Sequence, residues 1–193
     1  MLNDFPDLVI VYKISTSKKL YIGMSEITHS SATASASTSD NKPSGAAQPA
    51  ALGAELGPQL VYVVENDRIS SVITELIVKK NLFGGEVQCY ADGQRAFAEL
   101  ARANKAGATL PDLIVLDLDM PLMDGWGFLD AVAGLALPHP LRVFVLTSSL
   151  YPEDQEKALG YKIVQGFFTK PLKAAGVALM QDMLQVNWSG LAN

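Results

Sequence analysis

Four short polar clusters in this chain each follow directly on an apolar run. Glu65-Asn66-Asp67 follows LVYVV, Asp117-Leu118-Asp119 follows LIVL, Thr147-Ser148-Ser149 follows VFVL, and Lys170-Pro171 follows GFFT. Together these residue types are the minimal equipment for phosphoryl chemistry. An aspartate carboxylate can attack phosphorus and hold the product as an acyl phosphate. A second acid can share a Mg²⁺ ion with it, while a hydroxyl and an ammonium bind the oxygens of the moving group. The chemistry exists only if the fold brings the four clusters to one place.

The elements between the clusters supply a reason for that. Leu60 to Val64 is a continuous apolar run rich in β-branched residues, as expected of a strand covered on both faces. Ile69, Val72, Ile73, Leu76 and Ile77 then recur at helical spacing. Val87 to Tyr90 reads as a strand, Gln94 to Asn104 as a helix, Leu113 to Leu116 as a strand and Gly127 to Val132 as a helix. Leu141 to Leu146 is a further strand, and Pro152 opens a helix where proline is tolerated. Gly166 to Thr169 forms a last strand before a helix over Ala174 to Val186. Alternation of this kind predicts an α/β fold, a doubly wound parallel sheet with helices on both faces. In such sheets ligands bind beyond the carboxyl ends of the strands, where all four clusters fall.

The preceding residues are different in kind. Residues 1–26 hold two β-like runs, Leu8 to Tyr12 and Leu20 to Ile22, around a polar turn, so a hairpin is expected. The stretch DFPDLVIVYKISTSKKLYIG loosely resembles the opening strands of a PAS sensor domain; the rest of such a domain is missing, which favours a truncated or vestigial element. Residues 27–58, dominated by Ser, Ala, Thr, Gly and Pro, offer too few large apolar groups to offset ordering entropy and read as a flexible linker. Residues 59–193 are the folded domain.

Composition excludes several functions. With a net charge of -5 and a pI near 5.0 there is no basic surface for nucleic acid. The single Cys89 allows no intramolecular disulfide and fits a reducing compartment. Neither a signal peptide nor a spanning segment of ~20 apolar residues is present, so no membrane partner and a cytoplasmic location are expected. His29 and His139 lack metal-ligand spacing.

The succession of the acidic cluster, LIVLDLDMPLMDGWGFL, VFVLTSS and GFFTKPL resembles a response-regulator receiver domain over about Gln59 to Val186. The resemblance implies a five-stranded sheet of flavodoxin-like order 2-1-3-4-5. It makes Asp117 the phosphoacceptor and has Asp119 give its backbone carbonyl to Mg²⁺. Thr147 would bind a phosphoryl oxygen, and Lys170 would pair first with Asp117 and then with the phosphoryl group. Phe167 falls at the aromatic switch position, Ser149 lies at the rim, and Pro171 aims Lys170 through a cis bond. Glu65 and Asn66 stand where the family carries two adjacent acids, so a neutral Asn66 occupies the place of a direct Mg²⁺ carboxylate. Weakened metal affinity is expected. The partners implied are a histidine kinase or phosphotransfer protein and a downstream protein, the chain being a stand-alone receiver with no external substrate.

Blander roles compete at several positions. Asp124-Gly125 reads as a turn before a helix, and Asp67 as a helix N-terminal acid favoured by the macrodipole. Phe167, taken alone, is core packing. Two other functions are open: a pseudo-receiver that works without phosphorylation, favoured by Asn66, and a DxD phosphatase built on Asp117 and Asp119. Chain order speaks against the phosphatase, because its DxD lies on the first core strand and its metal-binding acids come late. A flavin site is unsupported, since Glu-Asn-Asp would repel a phosphate.

Overall fold

A computed structural model of the chain describes residues 9–14, 18–23, 59–81 and 85–188. In chain order the strands are β1 (Val9–Ile14), β2 (Lys18–Gly23), β3 (Leu60–Val64), β4 (Glu86–Tyr90), β5 (Leu113–Leu116), β6 (Arg142–Thr147) and β7 (Val164–Thr169). The helices are α1 (Arg68–Asn81), α2 (Gly93–Ala106), α3 (Gly125–Ala133), α4 (Pro152–Gly160) and α5 (Ala174–Trp188). Strands β4, β3, β5, β6 and β7 lie side by side and parallel, which is the order 2-1-3-4-5 in their own succession. The sheet does not stop there. β1 pairs antiparallel with β7, and β2 pairs antiparallel with β1, so the sheet has seven strands. The linker expected over residues 27–58 lies outside the described residues.

β3, β5 and β6 are buried at every position because helices cover both sheet faces. Leu60, Tyr62 and Val64 point to one face, where α2, α3 and α4 contribute Leu100, Phe128 and Leu159. Val61 and Val63 point to the other, against Val78 of α1 and Met180 of α5. The period of two along a strand thus divides one apolar run between two cores. Adjacent residues of β7 split in the same way, Phe167 into the first core and Phe168 into the second.

Helix α1 departs from the simple reading of its pattern. Ile69, Val72, Ile73 and Leu76 are exposed, while Thr74 and Val78 are buried. The loop between β3 and α1 is Glu65 to Asp67, and both its ends are fixed. Glu65 is held by Lys170, and the Asp67 carboxylate accepts a hydrogen bond from the Ser70 N–H at 2.7 Å. So short a loop sets the rotation of the helix, and it turns most of the apolar stripe outward, leaving Ile77 partly buried against the core. Among the described residues no helix is long and apolar enough to cross a membrane.

Candidate functional site

Backbone pairing continues past the formal strand ends and aligns the site. The Asp117 N–H donates to the Val64 carbonyl at 2.9 Å, the Glu65 N–H to the Tyr90 carbonyl at 2.9 Å, and the Lys170 N–H to the Thr147 carbonyl at 2.8 Å. Glu65, Asp117, Thr147 and Lys170 therefore stand along one edge of the sheet, at the crevice beside β3 and β5 where the strand order reverses. The peptide bond between Lys170 and Pro171 is cis.

The side chains converge further. Lys170 Nζ lies 2.6 Å from Asp117 Oδ2 and 2.5 Å from Glu65 Oε2. The second oxygen of each carboxylate is held by the main chain. Asp117 Oδ1 accepts from the Leu118 N–H at 2.7 Å and lies 3.4 Å from the Asp119 nitrogen; Glu65 Oε1 accepts from the Asp67 N–H at 3.0 Å. Glu65 and Asp117 are both buried. Two carboxylates and one ammonium leave the pocket with an excess negative charge. Burial pushes the Glu65 carboxyl above its ordinary value; the Lys170 and Asp67 hydrogen bonds pull it down, and the Asp117 charge pushes it up again. Burial also works against the charged form of Lys170, but hydrogen bonds to Asp117 and Glu65 outweigh it, and its net shift is upward. The amine is held as an ammonium.

The remaining residues expected at the site are less closely joined. Thr147 is fully buried, and its Oγ1 accepts from the Ser149 N–H at 3.2 Å. Asn66 and Asp119 are exposed beside the carboxylates. Phe167 is packed in the core and pairs with Val11 in the backbone register of the sheet. Among the described residues no group of three His, Cys, Asp or Glu side chains gathers closely enough to hold a metal. Glu65 and Asp117 are the paired carboxylates that could hold a cation, and Asn66 and Asp119 follow them closely in sequence.

Three features were not apparent from sequence. Gly125 carries no side chain because an added Cβ would lie 2.4 Å from the Asp117 carbonyl oxygen and 2.8 Å from Leu118 Cα. The Asp-Gly pair signalled only a turn, and Asp124 does cap α3, accepting from the Gly127 N–H at 2.7 Å. Ser149 Oγ donates to Asp154 Oδ2 at 2.5 Å, tying the loop after β6 to the first turn of α4. Leu122 sits in the left-handed region at φ 67° and is 82% exposed. With Ile69 of α1, Leu150 and Tyr151 it gives this edge several exposed apolar groups; for Leu122, Leu150 and Tyr151 the sequence signal was large apolar residues placed in loops after strands.

The family model for the response regulator receiver domain matches residues 61–181. A crystal structure of a two component response regulator from Cytophaga hutchinsonii is similar at a TM-score of 0.61 and 26% identity, over 67% of this chain and 98% of that one. The phosphorylated cyanobacterial phytochrome response regulator RcpA is similar at a TM-score of 0.51 and 25% identity, over 69% of this chain and 94% of that one. A probable methanogenesis regulatory protein, FilR2 of Methanothrix harundinacea (strain 6Ac), is 24% identical across 69% of this chain and 85% of its own length. With the order of the five parallel strands and the match over most of the folded region, the chain belongs to the response regulator receiver family of two-component signalling.

Proposed function

We propose that this receiver is a working phosphoacceptor, with Asp117 as the acceptor and a divalent cation, Mg²⁺, as its helper. The carrying observation is the single ammonium of Lys170 shared between two buried carboxylates, Asp117 and Glu65. A lysine so placed can release one carboxylate and follow the group that joins it. An oxygen of Asp117 attacks the phosphorus of a phosphohistidine on a kinase or phosphotransfer protein. The new P–O bond forms as the P–N bond breaks, and the electron pair stays on the imidazole nitrogen, which takes up a proton. Lys170 then binds an oxygen of the transferred group, and Thr147 exchanges its Ser149 contact for another. Exposed Asp119 sits where it can affect hydrolysis of the acyl phosphate.

The donor set fits a divalent cation. Mg²⁺ commonly keeps several waters and needs one or two carboxylates, which Glu65 and Asp117 supply. Burial, and after it the charge of Asp117, raises the pKa of Glu65, so a cation beside the two carboxylates would relieve a real cost. The cation, when bound, would neutralise charge on the phosphoryl oxygens, while Asn66 in place of a carboxylate lowers the affinity. The exposed apolar groups Ile69, Leu122, Leu150 and Tyr151 suit a donor protein that covers the pocket during transfer. Output would pass through protein contacts on the side of α4, β7 and α5. RcpA, a phosphorylated receiver, supports the reading by likeness.

Asn66 is the one observation favouring the second reading, a receiver that signals without phosphorylation. Incubation with acetyl phosphate and Mg²⁺, followed by intact-mass measurement, separates the two. We expect a single phosphoryl adduct on the unaltered chain and none on Asp117→Asn. No adduct on the unaltered chain, under conditions that label another receiver, would leave the phosphorylation-independent reading in its place.

A further inference from the structure

Without β1 and β2, strand β7 would be the open margin of the sheet, presenting unpaired backbone N–H and C=O groups to any extended segment. The chain fills that margin itself. β1 lies antiparallel to β7 with Val11 opposite Phe167 and Tyr12 opposite Gly166, and β2 closes on β1 along Val9↔Gly23 through Ile14↔Lys18. The two seams are unequal: six residue pairs join β1 to β2, and two join β1 to β7. A two-stranded hairpin is marginal in water by itself, so this one depends on β7 for a third strand. Its hold is nevertheless short. At about 1 kcal/mol net per hydrogen bond, so small a ladder, with the approach of α4 to β1 beside it, holds the hairpin by only a few kcal/mol.

β7 is also the strand that delivers Lys170. Its last residue, Thr169, pairs with Thr147, and the next residue reaches Asp117 and Glu65. The hairpin seam at Phe167 is thus three residues from the ammonium, on one continuous backbone. We infer that the β7 edge is a strand-addition site whose resident occupant is the chain's own N-terminal hairpin, and that seating of this hairpin is coupled through β7 to the Lys170–Asp117–Glu65 cluster. A change that draws Lys170 to a new anion pulls on the end of β7, and the two-pair seam beside it is a contact that can respond. Coupling of this kind is reciprocal, so release of the hairpin changes the pocket in turn. The covalent connection through residues 24–58 keeps a released hairpin at an effective concentration of roughly millimolar. The edge is then open to a partner's strand for part of the time, and more so when the pocket favours release. Seating and coupling stand on the sheet pairing; only the identity of the perturbing group, a phosphoryl on Asp117, rests on the proposed function.

Backbone hydrogen exchange on the full chain tests the inference. In the unaltered protein the amides of residues 9–14 and 18–23 should exchange at least tenfold more slowly than an unstructured peptide. In Lys170→Met their exchange should change at least threefold in a way that the global loss of stability, read from the β3 and α2 amides, does not account for. Asp117→Asn, which keeps the lysine and one carboxylate, should change it in the same direction by less. Val11→Pro removes a ladder donor from the strand between β2 and β7; it should free the hairpin and expose the amides of Gly166 and Phe167. Hairpin amides exchanging at the unstructured rate in the unaltered chain would overturn the seating. Protection that is present yet the same in Lys170→Met and Asp117→Asn would overturn the coupling. Addition of beryllium fluoride with Mg²⁺, a phosphoryl mimic, is the separate arm. If the hairpin responds to the substitutions but nothing binds beryllium fluoride, the coupling stands and the phosphoacceptor reading fails.

Discussion

The two ends of the parallel strands carry similar side chains and treat them in opposite ways. At the amino ends, Asp112 Oδ2 accepts from the Gln59 and Leu60 N–H groups at 2.8 and 3.2 Å, and the Asp112 N–H donates to the Leu60 carbonyl at 2.9 Å. Its acid closes a backbone seam. Arg142, buried near it, is pushed below its ordinary pKa by burial, with the Asp112 charge opposing. At the carboxyl ends, Glu65 and Asp117 each satisfy one oxygen on the backbone and compete for one ammonium with the other. The difference lies in what is left over. The amino-end acid is used up by the fold, whereas the carboxyl-end pair keeps a charge that a cation or a phosphoryl transfer can rearrange.

The contrast can be broken most strongly at Lys170, whose side chain is 16% exposed. Lys170→Met strands two buried carboxylates and should cost about 3–5 kcal/mol at neutral pH in urea denaturation. The loss should shrink on acidification. Glu65 already has a folded pKa above its unfolded value, so its protonated form favours the folded state, and stability returns as pH falls through that raised value. An equal loss at pH 7 and pH 5 would break the picture of two competing acids. Gly125→Ala should come next, costing about 2–3 kcal/mol, because the new methyl meets the backbone of Asp117 and Leu118, which cannot yield as the Leu118 side chain could. The same change should slow labelling of Asp117; unchanged labelling would separate the close approach from the site.

At the other end, Asp112→Ala should cost about 1–2 kcal/mol through two unpaired N–H groups and leave acetyl phosphate labelling unaltered. A labelling defect there would erase the distinction between the ends. The smallest effect belongs to Leu122, held in the left-handed region with its side chain in solvent. Leu122→Gly should stabilise by about 0.5–1 kcal/mol, relief of backbone strain outweighing the added freedom of the unfolded chain. A lower denaturation midpoint would show that the leucine makes a contact worth more than its strain.

The parallel sheet was legible because local signals agreed along its length. Runs such as LIVL and VFVL, short, β-branched and bounded by polar residues, favour strands covered on both faces, and Pro152 and Asp124 mark helix starts by their own chemistry. Asp117 and Lys170 could be named because the motifs around them resemble a family. Other features resisted reading. The apolar stripe of α1 has the spacing of a buried face, but the short Glu65 to Asp67 loop rotates all of it except Ile77 outward. Phe167 reads equally as core or as switch, and its burial in the core beside β1 is a property of the assembled sheet. The pairing of Glu65 with Lys170 joins residues more than a hundred positions apart, and no local pattern announces it.

Alternation of apolar runs, turn residues and polar strand ends determined the α/β sheet and the edge where chemistry would lie, since those signals act within a few residues of themselves. Tertiary structure alone decided which two acids share one lysine, which glycine must stay bare beneath Asp117, and where the N-terminal hairpin rests. Each of these depends on distances between segments that touch only after the strands have paired, and a linear chain carries no local record of such distances.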